Sequence, residues 1–257
     1  MNYLVIYPGR FHPFHLGHKA SYDWLTNQFG ENNVYVASSS VQDPETSPFT
    51  FADKVAMMTK LGVPSGRIVN VKNPYQAKEI TSMLSDEEKA NTALVFAVSA
   101  KDAERFNFTP KKNGSPAYLQ PVPANKKSMK PMTKQGYVAI TPTVNFRVKG
   151  ADANSASQIR KLYLDGNDSD RRQIITDLYG APDPELKDIF DERLGVNRPQ
   201  EGIIYGQEAI YAGDNPVSVM RESRLTKLQK NIQFMRTKIR ALQESQDYIN
   251  EHRPRKK

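Results

Sequence analysis

Three of the four histidines of this chain fall within seven positions, at His12, His15 and His18, and the last two flank Gly17. Imidazole donates hydrogen bonds to oxyanions and exchanges a proton near neutral pH, so two rings three residues apart on a helix can face one ligand together. The apolar run Tyr3-Leu4-Val5-Ile6-Tyr7 ahead of them predicts a buried strand, and Ala20, Trp24, Leu25 and Phe29 behind them recur at helical spacing. The histidines thus occupy a strand-to-helix turn, where unpaired backbone N–H groups and the positive end of the helix dipole favour an anion. These residues predict a phosphate site with two proton-capable donors.

The rest of the chain supplies alternating elements to hold such a turn. Strands are expected at 33–39, at 67–71 and along Ala93-Leu94-Val95-Phe96-Ala97-Val98, with a last one over 137–148. Helices are expected at 51–61 and 155–164, and 75–84 is a polar segment with helical potential. Unalternating apolar runs suit parallel strands covered on both faces. The alternation predicts an α/β fold: a doubly wound, Rossmann-like parallel sheet of about five strands, with ligands beyond the carboxyl ends of the strands. The histidine turn lies at that edge.

Three further segments carry groups suited to a nucleotide site. Ser47-Pro48-Phe49-Thr50-Phe51-Ala52-Asp53-Lys54 opens the second helix, with Lys54 either solvated or turned toward an anion. Ser155-Ala156-Ser157-Gln158-Ile159-Arg160 opens another, where hydroxyls can cap orphan N–H groups or donate to phosphate oxygens and an arginine one turn on can reach the same anion. Directly after the most apolar strand, Asp102 and Arg105 are candidate substrate contacts, although a solvated turn with a local ion pair fits the same residues.

The turn Gly9-Arg10-Phe11-His12-Pro13-Phe14-His15-Leu16-Gly17-His18 resembles the HxGH signature of the nucleotidyltransferase superfamily, and its longer form resembles the archaeal-type NMN adenylyltransferases. The segments at Ser47 and Ser155 are similar to two further motifs of that family, with Lys54 where an arginine is usual and Ser157 where a threonine is usual. The resemblance covers about residues 1–165, and the chain as a whole, tail included, also resembles cytidylyltransferase-like proteins of large tailed phages. It implies transfer of a nucleoside monophosphate from a triphosphate, ATP first, to a phosphate-bearing acceptor, NMN first, with release of pyrophosphate. A cytidylyltransferase acting on a phosphorylated alcohol or sugar, or an assembly component that keeps the fold without the chemistry, are the alternatives. On the same implication His15 and His18 are catalytic. Gly9, Arg10, Phe11, His12, Gly17, Ser155, Ser157 and Arg160 bind nucleotide, Lys54, Asp102 and Arg105 contact substrate, and Mg2+ bridges the phosphates.

Composition bounds the rest. The chain has 257 residues, 38% of them hydrophobic, and no cysteine, which excludes a disulfide framework, a thiolate metal site and a cysteine nucleophile. No apolar run approaches membrane-spanning length and no signal peptide is evident, so a soluble cytoplasmic protein is expected. The net charge is +8, but between 217 and 257 there are eleven Lys/Arg against four Asp/Glu, so the basic character belongs to the tail. Two domains are expected: a nucleotidyltransferase domain at 1–165 and a helical extension at 166–257, with short helices at 168–179 and 184–194. In the tail, Leu225, Leu228, Ile232, Met235, Ile239 and Leu242 form a heptad stripe. That long basic amphipathic helix either packs on its own domain or joins a second copy or a larger assembly, and without interleaved aromatics it does not read as nucleic-acid binding. Six lysines without an acid between 109 and 136 predict a long loop, either a lid over an anionic substrate or a solvated segment.

Overall fold

A computed structural model describes residues 1–104, 106, 108–110, 112, 114–152 and 155–196 of the chain. The strands β1 (Asn2–Pro8), β2 (Val34–Ser38), β3 (Ile68–Asn70), β4 (Thr92–Val98), β5 (Leu119–Pro121) and β6 (Gly136–Ile140) pair in parallel in the order β3-β2-β1-β4-β6-β5. Seven successive buried residues make β4 the centre of the sheet. Alternate side chains feed two cores: Leu4, Ile6, Leu94 and Phe96 enter one, while Val5, Tyr7, Ala93, Val95 and Ala97 enter the other. Each fully buried Val, Leu, Ile or Phe contributes roughly 1.5–3 kcal/mol, so apolar residues on both faces oblige the chain to cover both.

The larger core is covered by α1 (Leu16–Phe29), α2 (Phe51–Lys60), α6 (Ala156–Asp165), α7 (Asp168–Tyr179) and α8 (Pro184–Leu194). Short helices α3 (Lys78–Thr81), α4 (Asp86–Asn91) and α5 (Ala100–Ala103) lie between β3 and β5, and β7 (Arg147–Val148) pairs with β8 (Ala151–Asp152) ahead of α6. Helix α2 starts at a reciprocal capping box between Thr50 and Asp53, typically worth ~1 kcal/mol at the cap. Asp53 is also gripped by Arg193 of α8 at 2.6 Å.

The buried residues of α7 and α8, Ile174, Ile175, Leu178, Leu186 and Phe190, belong to the same core as the sheet. Described residues on both sides of Asp165 therefore contribute to one core. The heptad stripe of 225–242 lies outside the described residues.

Strand order reverses between β1 and β4. Chain crossing from β1 goes to β2 and β3 on one side, while β4, β6 and β5 lie on the other, which opens a crevice beyond the carboxyl ends of β1 and β4. The strand expected over 137–148 stops at Ile140 because Pro142 cannot donate to a ladder, and the freed segment 141–146 bends into the crevice. Of the expected helix at 75–84 only Lys78–Thr81 forms, starting after Ala77 in the left-handed region.

The lysine-rich segment contains the edge strand β5, which gives the sheet its sixth member. Lys126 donates to the Gln28 backbone and side-chain oxygens, each at 2.8 Å, and sits over the Phe29 ring. Those partners end α1, which begins at the histidine turn about 20 Å away at 1.5 Å per residue. Met132 N–H meets the Thr92 carbonyl at the start of β4, so this stretch lines the amino edge of the sheet. Lys126 therefore does not belong to a lid over the histidines.

Candidate active site

The histidine turn is held from below by the sheet. Gly9 N–H donates to the Ala37 carbonyl at 3.0 Å and Ser38 Oγ to the Arg10 carbonyl at 3.4 Å, so the end of β2 fixes the chain as it leaves β1. Phe11 has a φ of 51°, unusual for a residue with a side chain, and its ring folds back over Gly9. A Cβ on Gly9 would lie 2.4 Å from that ring, which explains the glycine.

His15 is the N-cap of α1, and its Nδ1 accepts from Gly17 N–H at 3.1 Å. The neutral ring must then carry its proton on Nε2, which is left as a donor. Phe146 stacks on the other side of the His15 ring, with centroids 4.4 Å apart. His18, one turn on, lies 4.0 Å from His15 between centroids and packs on Phe11 and Phe14. A Cβ on Gly17 would meet the His15 ring at 2.9 Å, so this glycine lets the cap form.

Both rings line a cleft of about 460 Å³ over the ends of β1 and β4. One wall carries Tyr7, Tyr75, Ser99, Lys101 and Asp102, and the other carries Thr141, Thr143, Phe146 and Ser155. A second cavity of about 360 Å³ adjoins it, sharing Arg10, Phe11, His18, Ser155 and Ala156 and adding His12, Thr46, Ser157 and Arg160. Among the described residues, no carboxylate side chain lines this second cavity. Two guanidiniums, two imidazoles and three hydroxyls without an acid make a receptor for an anion with several oxygens.

The expected site residues divide accordingly. Gly9, Arg10, Phe11, His15, Gly17, His18, Asp102 and Ser155 line the cleft, and His12, Ser157 and Arg160 line the adjoining cavity. Arg105 lies outside the described residues. Lys54 does not reach either space. It is fully buried, with Nζ donating to the Ser39 carbonyl at 2.6 Å and Ser38 Oγ at 3.3 Å, so it braces the strand end beneath the histidine turn instead of contacting substrate. Burial pushes its amine down to about 8. Arg160 is also tied to the protein: its guanidinium donates to the His12 carbonyl at 2.8 Å and the Glu45 carbonyl at 3.0 Å.

Four lining residues had no local signature. Phe146 reaches His15 from 131 positions away, Thr46 comes from the loop after β2, and Thr141 and Thr143 follow the early end of β6. Lys101 adjoins Asp102 in a turn that the sequence does single out, and only its partner is read from it.

Burial lowers all three imidazole pKa values, His18 to about 4, His12 to about 3 and His15 well below the usual value. Lys54, Arg160 and Arg10 depress His12 further, and His18 depresses His15. The rings are therefore neutral donors at pH 7. Between about pH 4 and the unfolded value near 6.5 the unfolded chain binds more protons than the native one, so stability falls as pH falls through that window. The melting temperature is expected to be lower at pH 5 than at pH 7.5, and His12→Asn to flatten the difference; a protein equally stable at both pH values would contradict neutral histidines.

Residues 6–112 match the family model described as cytidylyltransferase-like. The nicotinamide-nucleotide adenylyltransferase of Sulfurisphaera tokodaii is 38% identical over 56 residues, which is 22% of this chain and 33% of that protein. That of Saccharolobus solfataricus is 42% identical over 53 residues, 21% of this chain and 31% of that protein. This chain thus spans about a third of the length of the curated relatives it matches. Among solved structures, a bifunctional NMN adenylyltransferase/ADP-ribose pyrophosphatase from Francisella tularensis superposes with a TM-score of 0.42 at 15% identity, over 76% of this chain and 53% of that one. The cytidylyltransferase-like match thus covers residues 6–112, less than half of this chain. Among the described residues, no helix is long and apolar enough to cross a membrane.

Proposed function

We propose that this chain transfers a nucleoside monophosphate from a triphosphate to a phosphate-bearing acceptor. The observation that carries this reading is the pair His15 and His18, with ring centroids 4.0 Å apart and planes tilted by 42°, at a helix start where the switch-point cleft meets a cavity free of acids among the described residues. The acceptor's phosphate oxygen attacks the α-phosphorus, a new P–O bond forms, the bond to the β-phosphate oxygen breaks, and pyrophosphate leaves. Such in-line transfer depends mainly on positioning and charge stabilisation. His15 Nε2–H and the His18 ring would donate to the oxygens of the transferring phosphate, while Arg10 and Ser157 would hold the departing pair.

Among the described residues, no three His, Cys, Asp or Glu side chains are arranged to hold a metal ion. Magnesium would arrive with the triphosphate and would neutralise charge on its phosphates. ATP and NMN are the favoured pair because the curated relatives are named for that reaction. A cytidylyltransferase reading is favoured by the family description instead. We also assign association with a second copy or a larger assembly to the basic tail.

A thermal-shift screen of ATP, CTP, GTP and UTP with magnesium separates these readings. A triphosphate at 100 times its dissociation constant is expected to add about 2.7 kcal/mol, and the base that stabilises most identifies the donor. Stabilisation by none of the four would contradict a nucleotidyltransferase and favour a non-catalytic assembly component.

A further inference from the structure

The cavity beside the cleft holds a polar group that the transfer scheme leaves unused. The His12 ring is 3% exposed, yet it lines this space. Its Nδ1 accepts from Phe49 N–H at 3.3 Å, which puts the proton of the neutral ring on Nε2. Phe49 stacks against the ring at 6.0 Å with 17° between planes, and Phe49 in turn is fully buried on Phe190. The ring is thereby locked in orientation. Nε2 makes no hydrogen bond among the described residues, and it is not among the buried polar atoms sealed off without a partner.

We propose that His12 is a third imidazole donor, with its Nε2–H placed for the terminal phosphates of a polyphosphate chain in this cavity. The inference rests on reading the cavity as the polyphosphate end of the site. Three features select that ligand class. Donors converge from three elements: His12 on the histidine turn, Ser157 on α6 and Thr46 on the loop after β2. Among the described residues, no carboxylate side chain lines the cavity to satisfy them or to bind a cation. Arg10, which also lines the cavity, supplies charge, while burial first and then the cations around His12 keep its ring neutral, so it acts as a fixed dipole aimed at an oxygen. An exposed surface lysine could not be so directed, because its rotamers are free.

The test separates the two nitrogens. In His12→Asn the side-chain oxygen can keep the Nδ1 bond to Phe49 N–H but the Nε2 donor is gone; in His12→Gln the donor is kept and the Nδ1 acceptor is lost. Calorimetric titration of the full chain with inorganic tripolyphosphate and with AMP is the measurement. Loss of a hydrogen bond to a charged group corresponds to roughly tenfold or more in affinity. His12→Asn is expected to bind tripolyphosphate at least about tenfold more weakly while AMP binding and melting stay close to wild type. His12→Gln is expected to bind tripolyphosphate within about threefold of wild type, at a lower melting temperature.

Wild-type affinity for tripolyphosphate in His12→Asn, or no binding by the unaltered protein, would overturn the proposal. If His12→Asn does not fold, ¹⁵N spectra of histidine-labelled unaltered protein decide: an Nε2–H tautomer that shifts on adding tripolyphosphate supports the role, and an Nδ1–H tautomer or an unmoved signal overturns it. Failure of the nucleotidyltransferase reading has a different signature, namely tripolyphosphate bound but no pyrophosphate released from any triphosphate.

Discussion

His18→Ala is expected to lower turnover about 100-fold or more while the protein stays folded. The ring is wedged among Phe11, Phe14 and His15, so its donor is oriented before substrate arrives. A preorganised donor to developing charge is typically worth ~3 kcal/mol, which is the source of the factor. Truncation also leaves a void against two phenyl rings, so the variant should melt below wild type without losing its circular dichroism spectrum. Steady-state assays of pyrophosphate release check the rate, and undiminished activity in the variant would remove His18 from the chemistry.

Arg160→Ala is expected to have the largest effect on stability of the site substitutions. Its buried guanidinium joins two backbone carbonyls, those of His12 and Glu45, which lie 148 and 115 positions earlier in the chain. Hydrogen bonds to a charged group contribute ~1.5–3 kcal/mol, and leaving both carbonyls unpaired adds to the loss. Removing the strut should loosen the histidine turn itself, so affinity for AMP and ATP should fall together. Ser157→Ala, by contrast, should leave melting unchanged and weaken ATP more than AMP. Melting curves and calorimetric titrations with both nucleotides distinguish the two. An Arg160→Ala protein as stable as wild type that loses only ATP would show that the arginine swings out to the phosphate tail.

That reversal illustrates where the sequence is legible. The order β1, histidine turn, α1 follows from an apolar run, paired imidazoles and a helical repeat, all within thirty residues, and each is a local signal. The doubly covered β4 is legible for the same reason. Helices α7 and α8 are legible from their apolar spacing and the Gly180-Ala181-Pro182 break, although their membership of the sheet's own core is not, because it depends on Phe190 meeting Phe49 and Tyr163. Strand β5 hides in a segment dominated by lysine and proline, and only its pairing with β6 defines it. Lys54 and Arg160 carry charges that suggest a phosphate when read alone. Their partners are a carbonyl and a hydroxyl in one case and two distant carbonyls in the other, and local spacing cannot reveal such bonds. Phe146 on His15 is a contact of the same long-range kind.

These residues make a single claim at the level of chemistry: the neutral His15–His18 pair stabilises charge on an α-phosphate while the adjoining cavity accepts pyrophosphate. Release of pyrophosphate by the full chain with magnesium, ATP and NMN, compared with each nucleotide omitted in turn, tests it most directly. Release is expected to require both a triphosphate and a phosphorylated acceptor and to collapse in His18→Ala. Absence of release with any of the four triphosphates and any phosphorylated acceptor, from a protein that binds them, would contradict it.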